Sequence, residues 1–89
     1  MEVRYKETFL KDLKRLKKLH VYDQIFELAF TLLPQASSLN EISNVKTLKG
    51  HHGRYRIRIG DYRIGVEVEN DSIELMRVLH RKEFYRYFP

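Results

Sequence analysis

From Arg54 to Ile59 the chain alternates strictly, and a Gly60-Asp61 step follows at once. A helix needs apolar residues three and four apart, so this pattern is a strand entering a tight hairpin. Tyr55, Ile57 and Ile59 share one face, and Arg54, Arg56 and Arg58 share the other. Glycine at the first turn position suits a type II′ turn. The next strand sets Tyr62, Ile64, Val66 and Val68 on the apolar side. Asn70-Asp71 makes a second turn, and Ile73 to Leu79 forms the last strand of a three-stranded antiparallel meander.

A two-residue turn fixes the pairing of its strands. Ile59 opposes Tyr62, Arg58 opposes Arg63, Arg56 opposes Gly65 and Arg54 opposes Glu67. Arg54 and Glu67 make a structural ion pair. Arg58 against Arg63 is costly, because like charges directly opposite destabilise a sheet by up to ~1 kcal/mol. Gly65 leaves room for a ligand to approach the backbone. Arg56, Arg58 and Arg63 thus converge on an open face with no carboxylate among them. A sheet built for stability alone would alternate signs here, so the pattern points to an anion site. Strict alternation across the second turn sets Glu74 opposite Glu67, Met76 opposite Gly65 and Val78 opposite Arg63. It brings His80 to the arginine side, with Arg81 at the strand end. Arg77 turns toward the apolar side as a structural arginine.

Glu2 to Lys6 also alternates and reads as a short strand. Thr8 fits a helix N-cap, and Phe9, Leu10, Leu13 and Leu16 follow at helical spacing. A second helix carries Tyr22, Ile25, Phe26, Ala29, Leu32 and Leu33 on one stripe, and Pro34 stops it. The two join near Leu19-His20 as an αα-hairpin. Residues 35 to 53 are irregular, with room for a short helical turn. The fold class is α+β, a single domain over residues 1–89, with the helices on one sheet face and the other face open.

The net charge of +5 favours a polyanionic partner. Its distribution says more. Residues 1–33 hold five lysines and two arginines, whereas 54–89 hold seven arginines and one lysine. Arginine offers a planar fork suited to phosphate. With no cysteine, the chain has neither disulfides nor thiolate metal sites. No apolar run approaches the ~18 residues of a membrane span. The first residues, Met1 to Tyr5, lack a signal peptide's apolar core. The expected setting is the cytoplasm.

Arg54 to Arg63, followed by a strand and then Arg77-Val-Leu-His-Arg-Lys-Glu-Phe-Tyr85, resembles the C-terminal half of RelE/ParE superfamily toxins. Leu48-Lys49-Gly50 and the opening strand with Phe9 to Leu16 fit the same pattern, so the resemblance spans nearly the whole chain. For the RelE branch it implies a type II toxin that cuts mRNA in the ribosomal A site, without metal or other cofactor, and that a cognate antitoxin neutralises. The family's basic pair on the first hairpin strand falls on Arg56 and Arg58. Its next arginine falls on Arg63, its arginine after the last strand on Arg81, and its C-terminal tyrosine on Tyr85 or Tyr87. His80 is shared with branches that use a histidine near this point. Two other functions fit the resemblance: a ParE-type inhibitor that binds DNA gyrase, and an inactive RNA-binding relative.

Cleavage of RNA by its own 2′-hydroxyl needs a base, cations for the transition state and an acid for the leaving 5′-oxygen. Arginine stays protonated, so Arg56, Arg58, Arg63 and Arg81 suit charge stabilisation. Proton transfer falls to His80, whose side-chain type titrates near ~6.5, or to Tyr85 or Tyr87 if nearby cations favour the phenolate. Those rings also suit stacking on an unpaired base. His51 and His52 have no acidic or cysteine partners in sequence and do not resemble a metal site.

Overall fold

The computed structural model describes residues 1–89. Strand β1 (Glu2–Tyr5) leads into helix α1 (Glu7–Arg15). Helix α2 begins as Val21–Glu27, passes through a π-helical turn at Leu28–Leu32 and ends in one turn at Leu33–Gln35. A 3₁₀ turn (Leu39–Glu41) precedes β2 (Val45–Thr47), β3 (Arg54–Ile59), β4 (Tyr62–Glu69) and β5 (Ser72–His80), and α3 (Arg81–Tyr87) follows. No helix is long and apolar enough to cross a membrane.

The expected α+β class holds, but the sheet is larger than a meander beside a lone strand. Five strands run in the order β1-β5-β4-β3-β2. β1 lies parallel to β5, and the other neighbours are antiparallel. β2 falls in a segment expected to be irregular. Its three residues are too few to show a period in sequence, and the ladder with β3 defines it. The 3₁₀ turn is the helical turn that segment had room for. One buried cluster joins Phe9 and Leu13 of α1, Ile25, Leu28, Ala29 and Leu33 of α2, and Ile57, Ile59, Ile64, Val66, Ile73, Leu75 and Val78 of the sheet. Apart from the small Ala29, each such side chain contributes about 1.5–3 kcal/mol on leaving water.

Helix α1 completes an edge that β1 leaves unfinished. β1 pairs with β5 only as far as Leu75. Beyond it the Lys6 amide donates to the Leu75 carbonyl at 2.9 Å, and the Thr8 hydroxyl donates to the Met76 carbonyl at 2.8 Å. The Val78 amide then donates to Asp12 Oδ2 at 3.1 Å. Thr8 is therefore not the helix cap expected of it: Lys6 precedes the helix, without a side-chain cap. Asp12 is 4% exposed and also receives two hydrogen bonds from Arg77, at 2.7 and 3.0 Å. These bonds, ahead of an opposing burial cost, raise the Arg77 pKa. A half-buried cation thus finds a matched carboxylate, so Arg77 is structural as expected, but it stands opposite Gly65 on the face away from the core and not on the apolar side.

Pro34 does not stop α2. It lies inside the last turn, which runs to Gln35. In the π-helical turn before it the Leu33 amide reaches back five residues to the Leu28 carbonyl. The next carbonyl, that of Ala29, would look to residue 34, which has no amide hydrogen. The Tyr5 hydroxyl donates to it instead at 2.6 Å. Burial raises the Tyr5 pKa and so keeps the phenol a donor. Tyr5→Phe leaves that carbonyl unpaired. It should cost about 1–2 kcal/mol, read as a lower urea midpoint at unchanged slope; an unchanged midpoint would remove this role.

Candidate nucleic-acid site

The first hairpin has the register its turn dictates: Ile59 opposite Tyr62, Arg58 opposite Arg63, Arg56 opposite Gly65 and Arg54 opposite Glu67. Gly60 takes a positive φ of 58°, as the first position of a type II′ turn requires. Arg54 and Glu67 form the expected ion pair at 2.9 Å.

The second hairpin departs from strict alternation. Glu67 faces Glu74, but Gly65 faces Arg77 and Arg63 faces Leu79. A bulge at Met76 adds one residue to β5, so Leu75 and Val78 both enter the core although their numbers differ in parity. The slip carries His80 away from the arginine row and opposite Tyr62. Its ring meets the Tyr62 ring edge-on at 5.3 Å, and its Nδ1 accepts the Lys82 amide at 3.1 Å, capping α3. Accepting there places the proton of neutral imidazole on Nε2.

The face opposite the core is not open throughout. Helix α3 folds back on it and buries Phe84 and Phe88. The Phe88 ring occupies the space above Gly65: a Cβ there would stand 2.6–2.9 Å from the ring carbons. The room expected for a ligand at Gly65 is thus taken by Phe88. Arg54 lies 5.6 Å from the centre of the same ring, and Arg77 lies 5.3 Å from that of Tyr87.

What remains exposed is a cluster of cations. The Arg63 pKa is lowered, first by desolvation and then by Arg56, with Arg58 and Arg81 adding to the effect and Tyr85 opposing it. Three guanidinium groups and one phenol thus lie close enough to act on Arg63. Their partners inside the protein are almost all neutral. Arg63 donates to the Gly60 and Tyr62 carbonyls at 2.9 and 3.1 Å. Arg56 donates to the Asn44 carbonyl at 3.2 Å, and Arg58 donates to Asn44 Oδ1 at 3.3 Å. Asn44 also accepts the Arg58 amide and holds a positive φ of 65°. Only Arg81 meets a carboxylate, that of Asp61 at 3.6 Å, with both side chains mostly in solvent. Such a pair is weak. The cluster keeps its positive charge and points it outward, which is the requirement for holding phosphate.

Of the residues proposed from sequence, Arg56, Arg58, Arg63, Arg81 and Tyr85 come together. His80 lies opposite Tyr62 at the helix cap, and Tyr87 lies beside Arg77. Asn44 was missed. The signal open to a reader was an asparagine, tolerant of left-handed backbone, directly before Val45-Lys46-Thr47.

Comparison with known proteins shows the family. A family model described as the ParE toxin of type II toxin-antitoxin systems, parDE, matches residues 3–85. The chain belongs to this toxin family. It is 46% identical to Toxin RelE3 of Methanocaldococcus jannaschii over 90 residues, covering all of both chains. It is also similar to a chain of the RelB-RelE antitoxin-toxin complex from Methanococcus jannaschii, with TM-score 0.81, 44% identity, and coverage of 97% of this chain and 99% of that one. The toxin-antitoxin complex RelBE2 of Mycobacterium tuberculosis gives TM-score 0.68 at 26% identity, covering 90% and 96%. The chain is thus a member of the RelE/ParE superfamily.

In this toxin the seat of α3 depends on Gly65. Gly65→Ala would drive a methyl group into the Phe88 ring. Hydrogen exchange of residues 81–89 should speed up by tenfold or more, about 1.4 kcal/mol, while the core strands stay protected. Unchanged exchange in α3 would show that Phe88 does not need the glycine.

Proposed function

We propose that the protein is the toxin of a type II toxin-antitoxin system and that it cuts mRNA in the ribosomal A site, with a cognate antitoxin as its partner. The carrying observation is the grouping of Arg56, Arg58, Arg81 and Tyr85 around Arg63 with a single weak carboxylate contact among them. The name Toxin RelE3 of the relative and the antitoxin bound in the RelB-RelE complex support this reading.

In this reading Arg56 and Arg58, braced on Asn44, hold the phosphates beside the scissile one. Tyr85, acting as the phenolate, takes the proton from the 2′-hydroxyl. The 2′-oxygen then attacks phosphorus, the bond to the 5′-oxygen breaks, and the leaving oxygen takes a proton from water. The products are a cyclic 2′,3′-phosphate and a 5′-hydroxyl. Arg63 and Arg81 stabilise the charge that builds on the phosphoryl and leaving oxygens. No step needs a metal. His80 acts as a positioning residue: its Nδ1 is engaged at the start of α3, the helix that carries Arg81 and Tyr85.

On ribosomes programmed with a defined mRNA, Tyr85→Phe and Arg81→Ala should each slow cleavage by about 10²-fold or more, the usual scale for removing a proton-transfer group or a preorganised donor. His80→Gln should cost far less. All three should unfold at nearly the wild-type temperature. Cleavage that survives Tyr85→Phe but collapses with His80→Gln would reverse the two assignments. The ParE name of the matching family favours a second reading, inhibition of DNA gyrase by binding. Inhibition of supercoiling by the purified protein, with mRNA left intact, would select it.

A further inference from the structure

β2 brings one more cation to the arginine face. Lys46 is the direct partner of Arg56 in the β2–β3 ladder. Residues directly opposite in an antiparallel pair point to the same side, with their Cβ atoms about 4.5–5.5 Å apart. Lys46 therefore stands on the same side as Arg56 and Arg58, one strand further out. It is exposed and makes no ion pair. The ribbon thus contains two like-charge pairs in direct opposition, Lys46 with Arg56 and Arg58 with Arg63. Each destabilises the free sheet. One such pair fits a site for a single phosphate. Two in neighbouring rows, with Asn44 bracing Arg56 and Arg58 between them, make a track.

We infer that Lys46 extends the anion site onto β2, so that the protein holds successive phosphates of one extended RNA strand rather than one phosphate alone. The inference rests on the RNA reading above and adds to it the length of the bound strand. An edge strand suits this use, because no further strand pairs with its outer side and the strand of RNA can run past it. Lysine acts here as a point charge, so it contributes affinity without choosing the base.

The test is the salt dependence of binding to a fluorescent 2′-O-methyl oligoribonucleotide eight nucleotides long, which cannot be cleaved. Each phosphate neutralised on a single strand adds about 0.7 to the slope of log affinity against log salt. Lys46→Gln should lower the slope by about 0.7, a change of about fivefold in relative affinity across a tenfold salt range. Lys46→Arg should restore it. Lys14→Gln, on exposed α1, should leave it unchanged, and Arg58→Gln should lower it. If Arg58→Gln lowers the slope and Lys46→Gln does not, the track ends at β3 and the inference fails while the RNA reading stands. If the wild-type protein does not bind the oligonucleotide at low salt, both fail. A slope lowered equally by Lys14→Gln would show a diffuse charge effect and overturn the role of Lys46.

Discussion

Asp12 joins three parts of the molecule at one point. Its carboxylate accepts the Val78 amide from β5 and both hydrogen bonds of the Arg77 fork, while its own helix packs Phe9 and Leu13 into the core. Arg77 in turn lies against the Tyr87 ring of α3. A buried carboxylate is tolerable only when its lone pairs are filled, and here they are. The position of α1 on the sheet edge, the bulged stretch of β5 and the placement of α3 all meet at this carboxylate. Removing it would strand a half-buried arginine and an unpaired strand amide together.

The functional face is governed by the opposite arrangement. Where Arg77 is matched and shielded, Arg56, Arg58 and Arg63 hold neutral carbonyl and amide oxygens, and Arg81 has only a weak, exposed contact with Asp61. Those oxygens orient the guanidinium groups without cancelling their charge. The fold accepts the repulsion of Arg58 and Arg63 because the core beneath them, with Ile57, Ile59 and Ile64, holds the hairpin in register. Helix α3 adds Arg81 and Tyr85 from one side, seated by Phe84 and Phe88. The proposed site is therefore an arrangement of three pieces, a hairpin, a short edge strand and a C-terminal helix.

Much of this was legible in the sequence, for identifiable reasons. The alternation of Arg54 to Ile59 and the Gly60-Asp61 turn determine a register that leaves no freedom, and every pair of the first hairpin follows from it. The second hairpin was misread because a bulge changes parity without any marker residue: Met76, between Leu75 and Arg77, carries no glycine or turn signal. That one residue moved His80 from the arginine row to Tyr62. The function of Thr8 was hidden because its partner, the Met76 carbonyl, lies 68 residues away. Pro34 was read as a stop because its missing amide is supplied by a tyrosine from the first strand. β2 was invisible at three residues, and with it the roles of Asn44 and Lys46.

If the four outward arginines hold RNA while the two matched ones hold the protein together, the two sets respond differently to a bound strand. Side-chain Nε–Hε resonances of the arginines, followed by NMR during titration with a non-cleavable 2′-O-methyl oligoribonucleotide, test this directly. Arg56, Arg58, Arg63 and Arg81 should shift together, and Arg54 and Arg77, locked to Glu67 and Asp12, should stay in place. Shifts at Arg15 of α1 with the four unmoved would contradict it.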